Sequence, residues 1–184
     1  TDKETVQRVE LLIKDLNISP EYRSVIKPAH RAALSAQEGN RGNEGIYCGA
    51  AMELKDGTIV TGNNSPLFHA ASSLVLNAIK HLAGIPQQIK LLPESITESV
   101  SNLKTQVLNE KTLSLDLVET LIALSISAPS NPVAKLAMEK LTTLKGCEVH
   151  MTHMPTPGDE AGLRRLGVNL TTDPNFSSKD LFVT

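Results

Sequence analysis

The stretch Ile46-Tyr47-Cys48-Gly49-Ala50-Ala51-Met52-Glu53-Leu54-Lys55-Asp56-Gly57-Thr58-Ile59-Val60-Thr61-Gly62-Asn63 carries the clearest local signal in the chain. Ile46 to Leu54 reads as a strand and Thr58 to Thr61 as its returning partner. Between them, Asp56-Gly57 supplies the positive φ that a tight hairpin turn requires. The polar segment Gly62-Asn63-Asn64-Ser65-Pro66 then feeds a helix expected from about Leu67 to Ala83. Its buried side holds Leu74, Val75, Ile79 and Leu82, and Gly84 and Pro86 stop it.

Upstream of the hairpin, Gly39-Asn40-Arg41-Gly42-Asn43-Glu44-Gly45 reads as a loop. Pro28 fits the first position of a helix running to about Glu38. Thr1 and Glu4 form a capping-box pattern, and Val6, Val9, Ile13 and Leu16 follow at helical spacing to about Asn17. Downstream, Ile89 to Leu92 reads as a short strand, and a helix runs from about Ser95 to Asn109. Ser114 to Ser127 is apolar on nearly every side, which predicts a central core helix. After Pro129-Ser130-Asn131-Pro132 a further helix reaches Leu144. Cys147 to Met154 reads as a buried strand, Asp159 to Leu166 as a short helix, and Val168 to Thr171 as a last strand. This order predicts a helix-rich α/β sandwich with residues 46–184 as its main domain, preceded by a helical segment over residues 1–45.

The 184 residues are 40% apolar and 21% charged with a net charge of -2, which fits one soluble globular domain and gives no basic footprint for nucleic acid or anionic membrane. No aromatic platform for single-stranded bases is present, since there are only two tyrosines, three phenylalanines and no tryptophan. No apolar run reaches membrane-spanning length and no export signal is visible. Cys48 and Cys147 lack partners at metal spacing and read as reduced, buried residues, so a cytoplasmic location is expected. The chain opens Thr1-Asp2-Lys3-Glu4, without an initiator methionine and already inside a helix signal. The expectation is a domain of a longer polypeptide.

Two segments could carry chemistry. Asn63, Asn64 and Ser65 precede a helix start, where free backbone N–H groups and amide or hydroxyl donors can hold an anion; ordinary capping by Ser65 with Pro66 behind it explains the same residues. His69 lies beside small residues in that first turn, and the helix dipole there is expected to lower its pKa. The second segment, Glu148 to Glu160, holds His150, His153, Asp159 and Glu160. On a strand, residues three apart point to opposite faces, so His150 and His153 cannot chelate one ion without a bulge, and no metal or cofactor is assigned. Asp159 and Glu160 also fit as partners of a helix N-terminus. No dinucleotide, Walker, zinc-protease or nucleophile-elbow motif occurs.

Two resemblances extend this reading. The hairpin with its Asp56-Gly57 turn, the Thr61-Gly62-Asn63 loop, His69-Ala70-Ala71 and the Pro155-to-Asp159 turn resemble the cytidine-deaminase fold, which implies a three-layer sandwich with a cleft between the two helix starts. The resemblance places Ala71 where that family has its proton-shuttling glutamate, and Thr156 and Asp159 where it has cysteine ligands. It therefore implies a degenerate or repurposed cleft, without deamination. Over nearly the whole chain, Ala50 to Gly62, Ser65-Pro66-Leu67, Leu76 to Ile85 and Pro157 to Gly167 resemble the C-terminal portion of a family of uncharacterised bacterial cytoplasmic proteins whose domain is of unknown function. Some members carry the label ATP-dependent peptidase, for which this sequence has neither a Walker loop nor a protease nucleophile set. Together these features predict a small-molecule site for an anionic or nucleotide-like ligand. In it, His69 and Asp159 would do acid–base or positioning work, and Asn63, Asn64, Ser65, His153 and Glu160 would bind. The expected partners are the N-terminal domain of the same polypeptide and further copies of the chain in a homo-oligomer. The alternative is a structural or oligomerisation domain without chemistry of its own.

Overall fold

The computed structural model describes residues 3–19 and 21–177, with side chains from residue 7 onward. The hairpin forms where the Asp-Gly turn predicts it: β1 (Gly49–Glu53) pairs antiparallel with β2 (Ile59–Asn63), with Met52 opposite Val60. Asp56 Oδ1 accepts from the Thr58 N–H at 2.9 Å and Gly57 sits at φ +83°, so the turn is closed by its own side chain and backbone. β3 (Glu148–Met151) joins the other edge of β1 antiparallel, and β4 (Asn169–Thr172) adds parallel to β3. The sheet order is β2-β1-β3-β4. The parallel β3–β4 pair requires a crossover, which α7 (Pro157–Leu166) supplies.

Alternation along β1 decides what covers each face. Ala50 and Met52 belong to the main core with Leu74, Ile79, Leu117 and Leu163, on the side of α3 (Ala70–Leu82), α5 (Leu117–Ser127) and α7. Ala51 turns to the opposite face and packs with Val25 and Ala29 at the start of α2 (Ile26–Glu38). Two glycines set how closely the helices approach. A Cβ at Gly49 would lie 2.2 Å from the Ala29 carbonyl oxygen, and one at Gly62 would lie 2.3 Å from the Leu74 nitrogen.

Several expectations need correction. Ile89 to Leu92 forms no strand; Leu91 and Leu92 are buried from a loop, where Asn131 Nδ2 donates to the Leu91 carbonyl at 3.3 Å in place of a strand ladder. α2 starts at Ile26, so Pro28 stands in its first turn, where an N–H has no helical partner to lose. The helix over 95–109 is α4 (Glu94–Asn102) continued by a π-helical turn at Leu103–Val107. That turn draws Lys104 inward, where its Nζ meets the Ser114 carbonyl at 2.7 Å and Glu119 at 2.8 Å. The stretch predicted as a core helix on all sides begins only at Leu117, behind a capping box of Asp116 and Glu119, and leaves Ile122 and Ile126 53% and 56% exposed. The helix expected to reach Leu144 divides into α6 (Pro132–Met138) and a 3-10 turn at Leu141–Leu144.

α1 (Lys3–Asp15) forms as its periodicity predicts, although the Thr1 end of its capping box lies outside the described residues. Its apolar stripe is not covered: Val9, Leu12 and Leu16 are exposed and Ile13 is half-buried. Among the described residues no helix is long and apolar enough to cross a membrane.

Candidate functional site

His69 is the residue before α3, in extended backbone, with its N–H donating to the Leu115 carbonyl at 3.0 Å. That bond ties the helix start to the segment leading into α5. α7 begins after Thr156, whose hydroxyl receives the Asp159 N–H at 3.4 Å and donates to Asp159 Oδ2 at 2.9 Å. Asp159 in turn reaches across to α5, where its Oδ1 accepts from the Leu117 N–H at 2.9 Å. An N–H in the first turn of a helix has no partner within that helix, so the carboxylate caps α5 from another element. Its second oxygen accepts from His69 Nδ1 at 2.8 Å. Two residues 90 positions apart thereby form a buried dyad, with Asp159 only 3% exposed.

The dyad lines a cleft of about 130 Å³, enough for a small ligand rather than a single water. The segment leading into α3 contributes Ser65 and His69, the residue before β1 contributes Cys48, and the β3–α7 connection contributes His153 and Thr156. Thr112 and Ser114 close one side and Asn43 with Glu44 another.

Burial is the largest influence on His69 and favours its neutral form, but the hydrogen bond and charge of Asp159, with the charge of Asp116, outweigh it. The pKa is raised, not lowered as the helix dipole alone predicts. A full carboxylate charge at hydrogen-bond distance exceeds the half charge of a helix terminus. Carboxylates only accept, so Nδ1 carries the proton toward Asp159 and the neutral ring keeps its lone pair on Nε2. Among the described residues Nε2 makes no hydrogen bond, which equips it to take or return a proton.

Because the folded pKa lies above the ordinary value of about 6.5, the dyad's contribution to stability is complete below that value and is lost as pH rises through the folded pKa. The stability difference between the wild type and His69→Gln therefore narrows from pH 5.5 to pH 9. Urea denaturation at several pH values measures it, and a gap that widened with pH would contradict this pairing.

Cys48 offers no nucleophile. Burial, reinforced by the charge of Asp159, pushes its thiol up to about 12, so it stays protonated. His153 has its pKa lowered by burial against the opposing charge of Asp173, and its Nδ1 lies 2.9 Å from the Thr152 hydroxyl.

The remaining sequence candidates divide. Ser65 lines the cleft but caps a turn, its hydroxyl accepting from the Phe68 N–H at 3.0 Å; the cap of α3 is not Ser65 with Pro66, since the helix begins only at Ala70. Asn64 also lines it, yet its amide is occupied: Oδ1 accepts from the Cys48 N–H at 2.8 Å and Nδ2 donates to the Ile46 carbonyl at 2.9 Å. It shapes the loop, and one of its two amide hydrogens is already given to Ile46. Asn63 is outside the lining and donates to the Asn64 carbonyl at 2.8 Å. Glu160 is outside it too, turned along α7 to pair with Arg164 at 2.7 Å. Sequence reasoning missed Cys48, Thr112 and Ser114, which carry no local motif and arrive through the hairpin and the approach to α5.

Residues 21–182 match the family model described as "Domain of unknown function DUF1846, C-terminal". A UPF0371 protein of Clostridium botulinum (strain Alaska E43 / Type E3) is 42% identical over 181 residues, covering 98% of this chain and 36% of the relative. A UPF0371 protein of Clostridioides difficile (strain 630) is 41% identical with the same coverage. The chain thus spans 36% of the length of these curated relatives.

Proposed function

The chain belongs to the DUF1846 C-terminal domain family, and from its cleft we propose that the domain contributes an acid–base dyad to a small-molecule site that the preceding region of the longer polypeptide completes. The observation that carries this reading is the 2.8 Å bond between His69 and the buried Asp159 inside a cleft flanked by the starts of α3 and α7. An enclosed His–Asp pair with an unengaged Nε2 is an arrangement suited to proton transfer, and two helix N-termini favour an anionic or nucleotide-like ligand. His69 acts on the reacting group, Asp159 positions the His69 ring and favours its charged form, and Ser65, His153 and Thr156 bind. The hairpin, the strand order and the two helix starts are compatible with a deaminase-like ancestry. Ala71 and Thr156 leave no proton-shuttling glutamate or thiolate ligand there, so the chemistry is not deamination.

The test is thermal stabilisation of the full-length protein by a panel of nucleotides and phosphorylated metabolites. A compound that stabilises the wild type is expected to bind His69→Gln about tenfold or more weakly, the cost of one charge-assisted contact. If every stabilising compound binds both proteins equally, the dyad is not its site.

A second reading has its own observation. Val9 and Leu12 on α1, Leu16 just after it, and Ile122 and Ile126 on α5 are exposed. These residues suit a domain that packs on the rest of its own polypeptide or on a second copy, with no chemistry of its own. A monomer by light scattering for both the full-length protein and the isolated domain, with no affinity between domain and N-terminal region, removes it.

A further inference from the structure

On the face of the sheet opposite the cleft, three side chains from separate elements converge. His30 comes from α2, His150 from β3, and Asp173 from the residue after β4. One donor atom from each lies within 4.8 Å of the other two. Asp173 bridges the pair, its Oδ2 2.7 Å from His30 Nε2 and its Oδ1 3.3 Å from His150 Nε2. The two imidazoles stand edge to face with centroids 5.8 Å apart.

The decisive group is His150. It is 3% exposed, and its Nε2 is buried without a hydrogen-bond partner among the described residues although a carboxylate oxygen is close by. Buried polar atoms are nearly always satisfied, so such an orphan aimed at a carboxylate calls for a missing partner. The far side of the ring is already anchored, with Nδ1 2.9 Å from the Thr171 hydroxyl. Arg23 braces that hydroxyl by donating to it, and also donates to the Asn169 carbonyl at 2.8 Å and to Glu148. When Nδ1–H donates to Thr171, the lone pair of Nε2 faces the Asp173 oxygen directly. A cation between them turns that repulsion into two bonds, and an acceptor behind a ligating imidazole, here the Thr171 hydroxyl, fixes the ring's tautomer and orientation.

We infer that His30, His150 and Asp173 form a binding site for a divalent first-row transition-metal ion, of which zinc is the probe. Two imidazole nitrogens and one carboxylate oxygen suit zinc, iron or manganese, whereas magnesium and calcium favour oxygen alone. Three protein ligands leave a coordination position open, and the half-exposed side chains of His30 and Asp173 give water access to it. The ion would tie α2 to the ends of β3 and β4. The pair His150 and His153, which sequence spacing suggests and strand geometry rejects, is not the ligand set.

Equilibrium dialysis of the full-length protein against zinc, with metal quantified on the dialysed protein, tests the site. Stoichiometric zinc is expected in the wild type, with affinity reduced about tenfold or more in His30→Ala and Asp173→Asn. His30 is only half-buried, so its variant is expected to fold, and circular dichroism confirms that it has. His81→Gln, a surface histidine on α3, is expected to leave the affinity unchanged. Cobalt substitution adds a signature independent of activity, namely visible bands in the wild type that His30→Ala abolishes. Absence of stoichiometric zinc, zinc retained by folded His30→Ala, or zinc lost instead in His69→Ala overturns the assignment. None of these outcomes depends on the dyad having a ligand of its own.

Discussion

Replacing Asp159 by alanine is expected to destabilise the domain by about 3–5 kcal/mol, the range for removing one partner from a buried, hydrogen-bonded charge pair. Three groups lose their acceptor together: the Leu117 N–H at 2.9 Å, the Thr156 hydroxyl at 2.9 Å and His69 Nδ1 at 2.8 Å. The first is the costliest, because Leu117 is buried at the start of α5, where its N–H has no partner within the helix. Asp159→Asn keeps an oxygen for Leu117 and should cost less. It places an amide where a carboxylate accepted from both His69 and Thr156, so those two contacts can form only with their directions reversed and with the other tautomer of His69. Urea denaturation with an unchanged slope separates the two variants from wild type. A loss below about 1 kcal/mol for the alanine variant would show that α5 and α7 are held together without this carboxylate. A typical domain has a margin of about 5–15 kcal/mol, so the alanine variant is expected to sit close to the unfolding threshold.

Gly62→Ala is the second large effect, expected at about 3 kcal/mol, from overpacking. The added Cβ would sit 2.3 Å from the Leu74 nitrogen and 2.6 Å from its Cα, and both are backbone atoms that no rotamer change can move. The structure can accommodate it only by shifting α3 away from β2. That displaces His69, which immediately precedes the helix, so the same variant should weaken any ligand bound at the dyad. Gly57 supplies the contrast: its φ is +83° and an added Cβ meets nothing within 4 Å. Gly57→Ala should therefore cost only the strain of a left-handed residue, about 1–2 kcal/mol. Thermal unfolding of both variants orders them. A smaller loss at Gly62 than at Gly57 would refute the close-contact account.

The parts of the fold legible in the sequence are those with local causes. Asp56-Gly57 announces the hairpin because the turn's requirement for positive φ lies in two adjacent residues. The 3.6-residue spacing of Leu74, Val75, Ile79 and Leu82 announces α3 for the same kind of reason. Where packing between distant segments decides, local patterns mislead. The apolar run before Ser127 reads as wholly buried, yet Ile122 and Ile126 lie on the one stripe that the helices packed around α5 leave uncovered. Lys104 would pass for a surface residue, but the π-helical turn and the acceptors at Ser114 and Glu119 draw it inside.

The candidate site shows the same division. His69 and Asp159 each stood out as polar residues at a helix start, since that position is a property of neighbouring residues. That they meet at 2.8 Å is a tertiary fact, produced when the hairpin brings the start of α3 beside the β3–α7 connection. Asn64 is equally polar in the sequence, and only the folded chain shows its carboxamide oxygen and one of its N–H groups engaged by Cys48 and Ile46. Glu160 has its natural partner in Arg164, one turn later on the same helix, a pairing legible from the sequence spacing. His30 and Asp173 carry no sequence signal at all. They lie 143 residues apart, and only the order of the strands and the seat of α2 on the sheet place them around His150. By itself the sequence determined the hairpin, the main helices and which helix starts are polar, because turn chemistry and periodicity act over a few neighbouring residues. Which polar groups face one another, and which are already satisfied, was decided only by the tertiary structure, because hydrogen bonding between distant segments depends on packing that no local pattern encodes.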